Sequence, residues 1–96
     1  MSTNRTELKR AVHVIMNDVV EQCFHHMVHH PHLSDPLNHI IKDASEEINY
    51  QVIKIDAHSY NPDSPELQRY YHGISKDLQR KSLELLSRLQ KIQQNV

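Results

Sequence analysis

The chain has 96 residues, a net charge of −1 with histidine neutral, 38% apolar content and a mean hydropathy of −0.69. That length holds a single domain, 1–96, and so small a charge gives no global pull toward nucleic acid or an anionic membrane. One glycine and four prolines exclude both the Gly-rich tight turns of a sheet protein and a Gly-rich phosphate loop, and point to long helices with few connections.

The first helix is predicted from about Asn4 to His30. Asn4 followed three residues later by Glu7 is a capping-box pattern. Leu8, Val12, Ile15, Val19 and Cys23 form one stripe at helical spacing, flanked by Ala11 and Met16, while Arg10, Asn17, Asp18 and Glu21 face the other way. Phe24 and Val28 fall off the stripe. Pro31 ends the pattern.

The second helix is predicted from Pro36 to His58, with Asp35 as its N-cap and Pro36 at its first position, where a missing N–H costs nothing. Leu37, Ile40, Ile41, Ala44, Ile48, Val52 and Ile55 share its apolar face, opposed by Lys42, Asp43, Glu46 and Asn49. Tyr50, Ile53 and Ala57 lie off that face. The connection Tyr60–Pro65 closes with the same device, Ser64 before Pro65.

The third helix is predicted from Pro65 to Gln94. Leu67, Tyr71, Ile74, Leu78, Leu85, Leu89, Ile92 and Val96 line up, with Ser82 in the slot between Leu78 and Leu85, a shift of phase like a stutter. Gly73 leaves two readings, a C-cap that divides the helix or a residue inside one continuous helix. The stripe passes through Gly73 in phase, which favours the continuous helix. Leu83 and Leu86 are surplus to the stripe.

Connections of five or six residues join antiparallel neighbours, so the expected fold is all-α, an up-down-up antiparallel three-helix bundle. Residues 31–65 carry a charge balance of −4 and residues 66–96 one of +3, a complementarity expected to operate between the second and third helices. Phe24, Val28, Ile53, Leu83 and Leu86 exceed what a monomeric three-helix bundle of this size buries. They point to self-association, as a homodimer, or to a protein partner.

The most unusual local feature is His25, His26, His29, His30 and His32 within eight residues. Pairs four apart on a helix present both imidazoles on one face, the spacing of zinc, nickel and copper ligands. His25 and His29 lie toward the polar side and are the first candidate pair, with His32 beyond the break as third ligand. His26 and His30 extend the apolar stripe and are expected to be partly buried. Three readings stay open. The histidines close the end of the core, they bind a divalent metal such as zinc or nickel, or they titrate together as a pH switch.

Nothing in the chain arranges a nucleophile with a base. Cys23 lies on the apolar stripe as a small core residue, and Glu46 and Glu47 read as a solvated pair. The basic residues of the third helix are interrupted by Asp77 and Glu84, without a recognition helix or exposed stacking aromatics. With no signal-peptide pattern, no membrane-length apolar run and a single cysteine, the expected setting is the cytoplasm. The expected function is a non-enzymatic helical interaction module, with metal or pH response through the histidines as the alternative.

Overall fold

Asn4 opens the first helix as its spacing to Glu7 implies. Its backbone is extended, and its side-chain oxygen accepts the Glu7 N–H at 2.8 Å, supplying one of the acceptors that a helix start lacks. In this computed structural model, which describes residues 4–57 and 64–94, α1 (Arg5–His29), a 3-10 turn (Pro31–Leu33), α2 (Ser34–Asp56) and α3 (Pro65–Gln94) follow one another. No strand occurs among the described residues. The three helices form a rod of 50 × 17 × 17 Å.

Contacts between helices fix their directions. On α2 and α3, Asp43 meets Arg88, Gln51 meets Asp77, and the Lys54 carbonyl meets Tyr70. The numbering rises on one helix as it falls on the other, so the two are antiparallel. Lys9 near the start of α1 meets Asp56 at the end of α2, so that pair is antiparallel too. His26 meets Gln93, which sets α3 alongside α1 in the same sense. The bundle is therefore up-down-up.

The core follows the apolar stripes. Leu8, Val12, Met16, Val19 and Cys23 of α1 are buried against Leu37, Ile40, Ala44 and Ile55 of α2 and Leu67, Tyr71, Ile74, Leu78, Leu85 and Leu89 of α3. Ile15, Ile41, Ile48, Val52 and Ile92 sit half-buried at its margin. Val96 lies outside the described residues. The bury-and-margin pattern rotates α1 slightly from the expected stripe, placing Met16 rather than Ile15 at its centre.

α3 runs unbroken through Gly73, which has no left-handed backbone and open space where a Cβ would stand. Ser82 is half-buried at the stutter, and its hydroxyl donates to the Gln79 carbonyl at 2.9 Å, the local back-bonding available to serine inside a helix. Ser64 caps the start of α3, its oxygen accepting the Leu67 N–H at 3.3 Å. Leu86, expected among the surplus side chains, is half-buried against the core.

The first connection is tighter than its sequence suggested. His30 leaves helical geometry at φ −137°, ψ 71°, as a residue before proline is driven to do. Pro31–Leu33 then makes one 3-10 turn that feeds directly into α2. Asp35 is accordingly not an N-cap; it and Pro36 lie inside the first turn of α2, where backbone N–H groups have no helical acceptor and Pro36 sacrifices nothing. The Ser34 hydroxyl donates to the Pro31 carbonyl at 2.6 Å and ties the turn together. At the other end α2 stops at Asp56, with Ala57 in a turn; its expected last residue, His58, lies outside the described residues.

Candidate functional site

Along the solvent side of α1, Val14, Asn17, Glu21, Phe24 and Val28 repeat at intervals of three and four, and all five are exposed. That spacing puts them on one line of about 21 Å at ~1.5 Å per residue. Val28 is 75% exposed and Phe24 is 51% exposed. Val14 was not singled out by sequence because it stands in the run Val12–Met16, whose other apolar members, Val12, Ile15 and Met16, belong to the core stripe. Its sign was its place three and four residues from the next members of the line.

This face is also depleted in cations. No Lys or Arg occurs between Arg10 and Lys42. The long flexible cations that keep most helix surfaces solvated are thus absent from most of α1 and the start of α2. Of the acidic groups on the face, Asp18 accepts a hydrogen bond from Gln22 at 3.0 Å.

Other exposed apolar side chains are differently placed. Tyr50 is 54% exposed, with the Lys54 ammonium over its ring, 5.1 Å from ring centre to Nζ. Ile53 is exposed one turn away from Tyr50. Leu83 sits beside the Arg80–Glu84 ion pair.

Charged groups elsewhere are turned toward one another. Arg88 reaches Asp43 at 2.6 Å across the α2–α3 seam. Arg80 takes Asp77 at 2.6 Å and Glu84 at 2.7 Å on its own helix. Lys9 and Arg5 take Asp56. The expected charge complementarity between the second and third helices is thus carried by Arg88–Asp43, while much of the remaining charge is spent within helices or on α1.

Gln51 is the polar residue the apolar pattern concealed. It is fully buried between α2 and α3, and its amide nitrogen donates to Glu47 at 2.6 Å and to Asp77 at 2.7 Å. Its carbonyl oxygen is buried and has no hydrogen-bond partner among the described residues. The Gln51 hydrogen bond, with that from Arg80, holds the Asp77 carboxyl below its usual range. The signal lay in spacing: Gln51 is three residues after Ile48 and four before Ile55, a core position whatever its polarity.

The histidine rings form a connected run, His29–His25–His26–His30–His32, in which His25 and His26 stand edge-on at 5.7 Å. His25 and His29 are exposed, with ring centroids 4.7 Å apart at 67°. His26 and His30 are half-buried, as their place on the stripe implied, with centroids 6.5 Å apart and rings nearly parallel. His32 is exposed and sets its ring edge-on to His30 at 5.9 Å. Among the described residues, no group of three or more His, Cys, Asp or Glu is arranged to hold a metal ion.

His26 closes one end of the bundle. The Gln93 amide donates to its Nε2, which requires a neutral ring with its proton on Nδ1. Burial, then the neighbouring His25, His30 and His29, lowers its pKa from the ordinary 6.5. A cavity of about 270 Å³ opens beside it, floored by Leu33, Leu37 and Ile92. Cys23, also on α1, is buried, and burial pushes its thiol up, away from the thiolate that nucleophilic chemistry needs.

No helix among the described residues is long and apolar enough to cross a membrane. No family model, curated protein or solved structure matches the chain.

Proposed function

We propose that this chain is a non-enzymatic helical interaction module of the cytoplasm, and that its primary partner is a second copy of itself, met along the outward face of α1. The observation that carries this reading is the line Val14, Asn17, Glu21, Phe24, Val28. It is a three-four seam on a helix whose opposite side already fills the core. A seam of this spacing is what a facing helix interdigitates with. Phe24 is an aromatic anchor of the type enriched in interfaces, and the absence of lysine matches the composition of an interface core. Asn17 and Glu21 would set register at some cost in affinity, as polar groups in helical seams do.

The bland alternative is that these apolar groups are scattered surface residues, which every soluble protein carries. Their common line and the long stretch without Lys or Arg favour a seam. A nucleic-acid partner is disfavoured by the pairing of Arg80, Arg88 and Lys9 with carboxylates, since phosphate contact would have to break those pairs. A reducing compartment fits a chain whose one cysteine is packed in the core.

Light scattering of tag-free protein at micromolar concentration, in chelator, tests this. The expected mass is near twice the 11.3 kDa of one chain. Val28→Arg should return it to the monomer mass with an unchanged helical circular dichroism spectrum. A wild-type chain that remains monomeric as concentration is raised would refute self-association.

A further inference from the structure

The cavity at the histidine end of the bundle differs from the larger groove in what lines it. The groove of about 620 Å³ between α2 and α3 is bordered by Asp43, Glu47, Asp77, Arg80, Glu84 and Arg88 among others, as a solvated, ion-paired seam would be. The cavity of about 270 Å³ is bordered by His26, His30, Leu33, Leu37, Ile92 and Gln93, with no Asp, Glu, Lys or Arg. Every element of the bundle contributes to it. Pro31 ends α1 beyond His26, the 3-10 turn carries Leu33 across the end of the rod, and α2 and α3 supply Leu37 and Ile92. Gln93 is exposed, Leu33 and Ile92 are half-buried and Leu37 is fully buried. The cavity therefore descends from a polar mouth to an aliphatic floor, the build of a small-molecule pocket.

Size, charge and rim chemistry restrict what fits. An apolar cavity of about 150 Å³ takes a single benzene ring. A volume of about 270 Å³ suits a fused two-ring body. A charge carried onto this floor would find neither a carboxylate nor a cation in the lining, and an unpaired buried charge is costly. His26 accepts the Gln93 amide on Nε2, so its ring is neutral there. The ligand class is accordingly neutral. A flat, rigid body gives up little conformational freedom on binding. The polar mouth supplies its hydrogen bond: the Gln93 side-chain oxygen, on the same amide whose nitrogen is turned to His26, accepts one N–H or O–H.

We propose that this cavity binds a small neutral aromatic molecule with a single hydrogen-bond donor, of the indole class, with its rings on Leu33, Leu37 and Ile92 and its donor at the mouth beside His26 and Gln93. The pocket lies within one chain and does not depend on the seam along α1.

Indole titrated into the full chain, followed by carbon-13 methyl spectra, tests it. The expected result is saturable shifts of the Leu33, Leu37 and Ile92 methyls, nuclear Overhauser contacts from indole to the Leu37 methyls, and a dissociation constant below about 1 mM. The melting temperature should rise with indole concentration by mass action. Tryptamine and indole-3-acetate, the cationic and anionic counterparts, should bind roughly ten-fold or more weakly. Leu33→Trp and Ile92→Trp, at two half-buried positions, place a fused ring in the cavity itself and should keep the helical spectrum while abolishing the shifts. No saturable shift up to the solubility of indole would overturn the proposal, as would contacts confined to Val14, Phe24 and Val28. Equal or tighter binding of either charged counterpart would overturn the neutral class. Undiminished binding in a folded Trp variant would overturn the location, and the contacts to Leu37 in the wild-type chain decide it without any variant.

Discussion

Gln51 and His26 are the two residues whose chemistry the surrounding packing has decided. Gln51 is fully buried, donates to Glu47 and Asp77, and leaves its carbonyl oxygen without a partner among the described residues. An orphaned buried acceptor costs more than a typical hydrogen bond returns. Its acceptors, in contrast, reach solvent and recover water when it is removed. Gln51→Leu should therefore fall within about 1 kcal/mol of wild type in urea unfolding, whereas Gln51→Ala, which leaves a void as well, should lose about 1–3 kcal/mol. Gln51→Leu should also let the Asp77 carboxyl titrate closer to its ordinary 3.8, visible in a carbon-13 titration. Asp77 has a depressed folded pKa, so its contribution is present above 3.8 and is lost as pH falls through the depressed value. The acid limb of unfolding should be shallower in the variant. For His26 the folded pKa lies below 6.5, so the unfolded chain binds the proton more readily. Stability should fall as pH drops below 6.5 and level off once the folded pKa is passed. Thermal melts from pH 7 downward should show this slope, and His26→Gln should flatten it. Part of this scale was legible in the sequence: the burial of His26 and His30 followed from their place on the stripe. The role of Gln51 was hidden because a pattern scored on apolar residues passes over a polar one in a core position.

At the scale of the element, starts and stops were readable where a single residue type decides them. Asn4 and Ser64 cap as their chemistry requires, and α3 has the bounds its proline and stripe implied. The connection after α1 was not readable in detail. Asp35-Pro36 fits a cap and an N1 proline equally well as two residues inside a first turn. The choice was made by Pro31, which forces His30 out of the helix and lets a 3-10 turn run straight into α2. Gly73 offers the sharpest test of the element reading. It is exposed, inside α3, with ordinary helical backbone and nothing within 4 Å of the place an alanine methyl would take. Gly73→Ala should stabilise the chain by about 0.5–1 kcal/mol in chemical unfolding, through helix propensity and a less disordered unfolded state. A loss of stability would mean that α3 bends or breaks at Gly73.

The whole molecule is a rod whose core accounts for one side of each helix and leaves α1 with an outward line in which Val14, Phe24 and Val28 are apolar and Asn17 and Glu21 polar. The three-helix architecture was legible because three amphipathic stripes and two proline-marked connections admit few arrangements. The surplus of apolar side chains was legible as well, but their sorting was not. Leu86 joins the core margin, Tyr50 lies under Lys54, and Val14 enters a line with Phe24 and Val28. These outcomes depend on how far each helix is rotated, a quantity that composition and spacing fix only to within neighbouring residues. The histidines followed the same rule: spacing set His25 beside His29 and His26 toward His30, while His25 also meets His26 and His32 meets His30. The most direct measurement is a filtered nuclear Overhauser experiment on an equal mixture of carbon-13-labelled and unlabelled chains, in chelator. Contacts between the Phe24 ring of one copy and the Val28 methyls of another are the expected result. Intermolecular contacts confined to Tyr50, Ile53 or Leu83, or none in a chain that remains monomeric, would contradict the seam.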